Sequence, residues 1–270
     1  MISLKDSQSC EKIRHGKSVD VIMIGDSDIA RWPKSLNPTI PTPEETLPNS
    51  KSQIQNHGKD GAFLQDDIIR QLRHGFELLN QNHGEDISAS TMRSRHIVLI
   101  ACAGENDLSK GKNVDSILES FQLFISALEL EFKKIISKDC KSTSTPADLE
   151  RLNSLKLIFF GPKLEPWLSD DISARKQYFK LNKGLMRACK RYSEEFSCSE
   201  SRIPQFHFDV SYINCLTMFC GDTANEPGAV MGCRAIPQEM FFCNDGLHLN
   251  QAGYEIWKEV VDKQLLNLES

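Results

Sequence analysis

Short apolar runs alternate along the chain with longer stretches whose apolar residues recur at helical spacing. The apolar runs predict β-strands, because a strand covered on both faces is apolar at almost every position. The longer stretches predict amphipathic helices with one face on the core. Predicted strands cover residues 19–24, 52–56, 95–104, 155–162 and 205–213, and predicted helices cover residues 63–79, 115–136, 171–194 and 251–265. This alternation favours a parallel sheet with crossover helices, an α/β fold.

Three irregular stretches interrupt the pattern, near residues 33–50, 139–153 and 215–243. They are polar or contain proline, glycine and cysteine, which is typical of surface loops. No internal repeat and no shift in composition marks a second domain. We therefore predict a polar lead-in at residues 1–18 and a single domain over residues 19–267, with the three stretches as insertions.

Composition excludes several classes of protein. The formal net charge is −5 over 270 residues, and the lysines and arginines are scattered, so a nucleic-acid partner is not expected. The N-terminus is too polar for a secretory signal, and no apolar run reaches the roughly 18 residues of a membrane span. A cytoplasmic location without a membrane span is the resulting expectation, and the oligomeric state stays open.

The nine cysteines are an odd number without a C-x-x-C pair, so free and mostly buried thiols are expected. Cys215, Cys220, Cys233 and Cys243 cluster in one irregular stretch, but their spacing matches no common zinc pattern. The histidines show no metal-binding spacing either. The spacings of the cysteines and histidines therefore predict no metal site.

Unusual residues follow three of the predicted strands and precede the last helix. They are Gly25-Asp26-Ser27, Gly61 in a glycine-containing loop, Gly104-Glu105-Asn106, and the pair Asp245 and His248. Ligands of open parallel sheets bind where strands end and loops begin. These residues are therefore candidates for one shared site.

Acyl transfer needs the residue types found at these places. A serine hydroxyl needs a base, a histidine serves as one near neutral pH, and a carboxylate orients the histidine. Ser27, His248 and Asp245 fit these three roles. The backbone N–H groups of Ser27 and Gly61 and the amide of Asn106 fit the role of donors to a developing oxyanion.

Each piece alone also has a purely structural reading. Gly-Asp-Ser occurs in strand-to-helix turns with the serine as helix N-cap, and Asp245 to His248 suits a turn that enters a helix. The joint occurrence of all pieces favours an esterase-like site.

The four blocks resemble those of the SGNH, or GDSL-type, hydrolases: GDS at 25–27, the glycine of KDGA at 61, GEND at 104–107 and DGLHLN at 245–250. The resemblance implies a three-layer α/β/α sandwich with a flavodoxin-like parallel sheet. It implies hydrolysis of esters or thioesters without a metal or cofactor. It also implies Ser27 as nucleophile, Asp245 and His248 as the acid–base pair, and Ser27, Gly61 and Asn106 as the oxyanion hole.

Two acidic residues depart from that family's pattern. Asp28 stands where the family usually has an apolar residue, and Glu105 stands where a small or neutral residue is common. An uncompensated charge at about 4 Å and an effective dielectric constant near 20 would cost roughly 4 kcal/mol. Either both side chains point away, or they bind positive charge or hydroxyls of a substrate, and we expect Arg31 to neutralise Asp28.

Trp32 follows the nucleophile closely, and it either walls the substrate pocket together with Asp28 and Glu105 or packs in the core. The function that the sequence indicates is a serine esterase acting on short acyl groups of small-molecule or carbohydrate esters. An acyltransferase on the same fold is one alternative. A binding module whose oxyanion site is spoiled by Asp28 and Glu105 is the other.

Overall fold

The computed structural model describes residues 18–40, 53–82, 95–141, 153–197, 206–220 and 235–266. The lead-in up to residue 17 and most of the three irregular stretches lie outside the described residues. The prediction of one domain with three insertions therefore stays a prediction.

Five parallel strands form one sheet in the order β2-β1-β3-β4-β5. All five predicted strands are confirmed, with bounds that shift by two residues or fewer. The strands are β1 Ser18–Gly25, β2 Gln53–Asn56, β3 Arg95–Cys102, β4 Asn153–Phe160 and β5 Phe206–Ile213. This strand order is that of flavodoxin-like sheets.

Strand β1 shows why the central strands are continuous apolar runs. Ile22 and Ile24 face one core, whereas Val21 and Met23 face the other, and all four side chains are fully buried. Successive side chains of a strand point to opposite faces, so a sheet covered on both sides favours apolar residues at successive positions, as at residues 21–24.

The helices within the described residues comprise the four predicted ones and two short ones. They are α1 Ser27–Ala30, α2 Ile69–Asn82, α3 Glu105–Ser109, α4 Val114–Lys141, α5 Ile172–Ser197 and α6 Gln251–Leu266. The helix predicted from residue 63 opens as a π-helical turn, Leu64–Ile68, before α2. None of the described helices is long and apolar enough to cross a membrane.

Helices cover both faces of the sheet. On one face α2, α4 and α5 contribute Phe76, Phe121 and Leu181 to the core. On the other face α1 and α6 pack on the sheet, and the ring of Trp257 lies 4.4 Å from that of Phe160. The predicted three-layer α/β/α sandwich is confirmed.

The strand order reverses at β1, which pairs with β2 on one side and with β3 on the other. Such a switch point separates the loops that leave neighbouring strands and opens a crevice at their carboxyl ends. The loops after β1 and β3 carry Ser27 and Asn106, so this topology brings two of the candidate residues to one edge of the sheet.

Candidate active site

The turn after β1 holds Ser27 at the start of α1. Asp26 is the N-cap of α1, and its carboxylate accepts a hydrogen bond from the backbone N–H of Asp28 at 3.2 Å. A Cβ on Gly25 would lie 2.6 Å from the carbonyl oxygen of Cys102, so the turn needs glycine there. Since Asp26 does the capping, the hydroxyl of half-buried Ser27 is not used as the cap.

The turn before α6 joins Asp245 to His248. One carboxylate oxygen of Asp245 accepts hydrogen bonds from the backbone N–H groups of Leu247 at 2.9 Å and His248 at 3.0 Å. Its other oxygen, Oδ2, lies 2.6 Å from His248 Nδ1. Gly246 has a φ of +62°, which closes the turn. The His248 bond lowers the pKa of Asp245, so the carboxylate is ionised and holds the imidazole.

Asn106 lies in the first turn of α3, next to the loop that contains Gly61. Its Nδ2 donates a hydrogen bond to the carbonyl of Ala62 at 3.2 Å. Gly61 has a φ of +71° and is exposed. This loop is held against the end of β1, because Lys59 N–H donates to the carbonyl of Gly25 at 3.0 Å.

One cavity of about 200 Å³ connects these turns. It lies at the carboxyl ends of the strands, and residues from five different segments line it. The lining residues are Asp26, Ser27, Glu105, Asn106, Ser109, Lys163, Glu165, Trp167, Tyr178, Asp245 and Leu247. The structure therefore brings Ser27, Asn106 and Asp245 to one cavity. His248, which is bound to Asp245, and Gly61 are not among the lining residues of this cavity.

Hydrogen bonds and one ion pair also link the turn with Ser27 to the segment that carries Asp245 and His248. Arg31 N–H donates to the carbonyl of Ser27 at 2.9 Å, and Arg31 Nη1 lies 4.0 Å from Asp245 Oδ2. In addition, the hydroxyl of Tyr254 in α6 donates to the carbonyl of Asp28 in α1 at 2.8 Å. The turn with Ser27 and the turn with His248 are thus neighbours.

Lys163, in the loop after β4, binds both acidic residues that sequence reasoning singled out. Its Nζ lies 2.6 Å from Asp28 Oδ2, 2.9 Å from Glu105 Oε2 and 2.8 Å from Glu165 Oε1. Lys163 is 1% exposed, and all four members of this ion cluster are buried. Burial disfavours the ammonium ion, but the three carboxylates outweigh burial and raise the pKa of Lys163.

The expected pairing of Arg31 with Asp28 is wrong. Arg31 binds Asp60 through its guanidinium, with Nε 3.3 Å from Asp60 Oδ1. The three-residue spacing within a helical turn suggested Arg31, whereas the actual partner of Asp28 is 135 positions away in sequence.

Buried carboxyl groups outnumber the buried cation at this cavity. Burial, reinforced by Asp28 and Glu105, raises the pKa of Asp26 well above its usual range. Burial also raises the pKa of Glu165, although Lys163 opposes this shift. The wall of the cavity therefore carries several carboxyl groups beside the apolar surfaces of Trp167 and Leu247.

Trp32 packs in the core and is not among the residues that line the cavity. It is 4% exposed, packs against Tyr254 and Trp257 in the core, and donates from its indole nitrogen to the carbonyl of Leu36 at 3.0 Å. Trp167 is the tryptophan that lines the cavity, and its Nε1 donates to Glu165 Oε2 at 2.5 Å.

Sequence reasoning missed Lys163, Glu165, Trp167 and Tyr178. A signal was present, because the loop that holds the first three follows a buried strand and so ends at the same edge of the sheet as the other candidate residues. Tyr178 has no comparable signal, since it lies within the helical spacing of α5.

Three buried groups lie close enough to be considered as metal ligands: Asp26, Asp28 and Cys102, whose donor atoms lie within 4.8 Å of one another. The donor set does not suit a metal. The Lys163 ammonium already binds Asp28, and burial raises the pKa of the Cys102 thiol well above its usual range, so the thiol is protonated. The described cysteines 102, 189, 215, 220 and 243 are free thiols, and only the last is exposed.

No protein-family model matches the chain, and no curated protein matches its sequence. Solved structures do match it. A member of the lipolytic G-D-S-L family from Veillonella parvula is 16% identical, with 90% of this chain and 97% of that chain covered and a TM-score of 0.46.

Two further solved structures match to a similar degree. A lipase/acylhydrolase from Enterococcus faecalis is 15% identical, with 91% of this chain and 94% of that chain covered and a TM-score of 0.46. A carbohydrate esterase of family 3 from Talaromyces cellulolyticus is 14% identical, with coverages of 93% and 97% and a TM-score of 0.45. Each name describes that protein, and at such identities and scores it says nothing about the substrate of this chain.

Proposed function

We propose that this protein is a serine ester hydrolase that works through an acyl-enzyme intermediate. One observation carries the proposal. Ser27 and Asp245 line the same cavity, and Asp245 Oδ2 lies 2.6 Å from Nδ1 of His248. This placement supports the assignment of Ser27 as nucleophile, His248 as base and Asp245 as the group that orients the base.

In the first step Ser27 Oγ attacks the carbonyl carbon of the ester, and His248 Nε2 accepts the hydroxyl proton. Asp245 holds the histidine in the tautomer that leaves Nε2 free and stabilises the imidazolium that forms. Collapse of the tetrahedral intermediate passes the proton to the leaving alcohol. Water then attacks the acyl-enzyme in the same way and releases the acid.

Negative charge develops on the carbonyl oxygen in both steps. The backbone N–H groups of Ser27 and Gly61 and the side-chain amide of Asn106 are the proposed donors to it. The position of Asn106 beside the Gly61 loop supports this grouping. Lys163 places a positive charge beside both Asp28 and Glu105, which reduces the opposition of these carboxylates to the developing charge.

The cavity also limits the size and polarity of the substrate. A volume of about 200 Å³ holds a short acyl group or a small alcohol, well below the size of a drug-like ligand site. The small volume disfavours long alkyl chains, and the carboxyl groups and the Tyr178 hydroxyl in the wall can bind hydroxyl groups of the substrate. Short acyl esters of small polar alcohols or carbohydrates are the proposed substrates.

A fluorophosphonate probe and p-nitrophenyl acetate test the proposal. The wild type is expected to be labelled and to release p-nitrophenol, and Ser27→Ala is expected to lose both activities. Ser109→Ala is the matched control, because Ser109 lines the same cavity but donates its hydroxyl to the carbonyl of Asn106 at 2.9 Å. Labelling that persists in Ser27→Ala, or that disappears in Ser109→Ala, would move the nucleophile elsewhere.

A further inference from the structure

We propose that Lys163 is a positioning residue that holds the start of α1, which carries Ser27, and the first turn of α3, which carries Asn106, in fixed relation to each other. The inference rests on the proposed function, because it assigns Lys163 a role in that site. It treats the ion cluster of Lys163, Asp28, Glu105 and Glu165 as part of the catalytic apparatus rather than as a stabilising feature of the fold.

The Lys163 ammonium joins three loops that leave three different strands. Asp28 lies in α1 after β1, Glu105 begins α3 after β3, and Lys163 follows β4. Glu105 is held twice, because its Oε2 accepts from Lys163 Nζ at 2.9 Å and its Oε1 accepts from the backbone N–H of Lys163 at 2.6 Å. Two of the three loops are therefore anchored on one residue.

Each anchored carboxylate is the immediate chain neighbour of a proposed reacting group. Asp28 follows Ser27, and Glu105 precedes Asn106. A displacement of either carboxylate from Lys163 would move the adjacent serine hydroxyl or amide donor. Errors of about 1 Å in such positions reduce rates by up to about a hundredfold.

Burial restricts the movement of Asp28 and Glu105 away from Lys163. Asp28 is 1% exposed and Glu105 is 8% exposed, so neither can exchange Lys163 for water without leaving a charge uncompensated in the interior. Buried ion pairs add little net stability compared with apolar residues of the same volume. Apolar side chains at these positions would fill the space, but they would not supply directional bonds between the loops.

The variants Asp28→Asn and Glu105→Gln test the role one anchor at a time, since each removes a charge and keeps the shape of the side chain. We expect each to lower kcat for p-nitrophenyl acetate by about tenfold to a hundredfold and to leave KM within about twofold. Asp209→Asn is the matched control. It removes a carboxylate from the pair between Lys156 and Asp209, which are 3.0 Å apart on β4 and β5, and its kcat is expected to equal that of the wild type.

A double-mutant cycle separates positioning from a structural role. If Glu105 acts through Asn106, then Glu105→Gln loses most of its effect on kcat once Asn106→Ala is present. A structural role predicts instead that the two losses multiply. For the other anchor, the rate of fluorophosphonate labelling of Ser27 is expected to fall in Asp28→Asn in parallel with kcat.

Lys163→Arg provides a second route if a carboxylate variant does not fold, because it keeps the charge and changes the bond geometry. It is expected to fold and to lose kcat without a comparable change in KM. The inference is overturned if Asp28→Asn, Glu105→Gln and Lys163→Arg all keep the wild-type kcat, or if the cycle shows multiplicative losses. Failure of the ester hydrolase proposal is recognised separately, by hydrolysis that survives in Ser27→Ala.

Discussion

At the scale of single residues, Asp245 performs two tasks with its two oxygens. One oxygen accepts the backbone N–H groups of Leu247 and His248, which shapes the turn, and the other holds the imidazole of His248. These hydrogen bonds to its charged form, the His248 bond foremost, lower the pKa of Asp245. Asp245 therefore stays ionised throughout the range in which a histidine base works.

Asp245→Asn is expected to lower kcat by roughly a hundredfold to ten-thousandfold, because an amide does not stabilise the imidazolium and can favour the wrong tautomer. Steady-state hydrolysis of p-nitrophenyl acetate measures the loss. Asp60→Asn serves as the control, since Asp60 is another acidic partner of Arg31 at the rim of the site and has no contact with His248 among the described residues. Equal kcat values for Asp245→Asn and the wild type would remove Asp245 from the mechanism.

At the scale of secondary structure, the sheet and the long helices were predicted well from the sequence, because the spacing of apolar residues reflects which positions are buried. Strand β1 is apolar on both faces, and α4 carries an apolar stripe that includes Phe121 and Phe124. The contacts of the loops were not predictable in the same way. The partner of Asp28 is Lys163, and only the order of the strands brings those two loops together.

The acidic residues at 28 and 105 indicated that their negative charges needed either a compensating positive charge or side chains that point away from the site. Arg31 was the nearby basic residue expected to pair with Asp28. The sequence did not indicate which distant lysine lies at the same edge of the sheet. The candidate residues at strand ends were easier to group, because parallel topology alone places Ser27 and Asn106 at one edge.

The loop after β2 packs against α1 so closely that it fixes the position of the nucleophile. A Cβ on Gly58 would lie 2.3 Å from the backbone nitrogen of Ala30 and 2.6 Å from the carbonyl carbon of Ile29. Because both neighbours are backbone atoms, they yield only if α1 moves. Gly58→Ala is expected to destabilise the protein by about 1–3 kcal/mol and to lower kcat about tenfold or more.

Thermal unfolding and ester hydrolysis measured on the same preparation check this expectation. Lys59→Ala is the neighbouring control, because it removes one surface ion pair with Asp67 and keeps the backbone bond to β1. That variant is expected to change stability by less than about 1 kcal/mol. A Gly58→Ala protein that melts and reacts like Lys59→Ala would show that α1 is not constrained by this loop.

At the scale of the whole molecule, the candidate site exists because one sheet edge collects loops that are far apart in sequence. The described residues that meet there come from both ends of the chain, with Ser27 after the first strand and His248 before the last helix. The Lys163 ion cluster joins the loops after β1, β3 and β4, which are neighbouring strands. The geometry of the site therefore depends on the correct pairing of these strands.

Lys163→Met is expected to destabilise the fold by about 3–5 kcal/mol near pH 8, because it leaves the buried carboxylates Asp28, Glu105 and Glu165 without a cation. The deficit should shrink as the pH falls towards 5. Burial raises the pKa of Glu165 in the folded state, and Lys163 opposes that shift, so removal of the lysine makes Glu165 bind a proton more readily in the folded state than in the unfolded state. The stability lost at high pH therefore returns on acidification. Denaturant unfolding at both pH values measures the difference.

Lys156→Met is the control for that experiment, since Lys156 is also buried but its partner Asp209 keeps a side chain that is 34% exposed. Water can solvate Asp209 when the lysine is gone, so a smaller loss with little dependence on pH is expected. The raised pKa of Lys163 keeps it protonated over this whole range, so titration of the lysine in the wild type does not interfere. If both variants lose the same stability at both pH values, Lys163 is not the charge that balances the interior of the site.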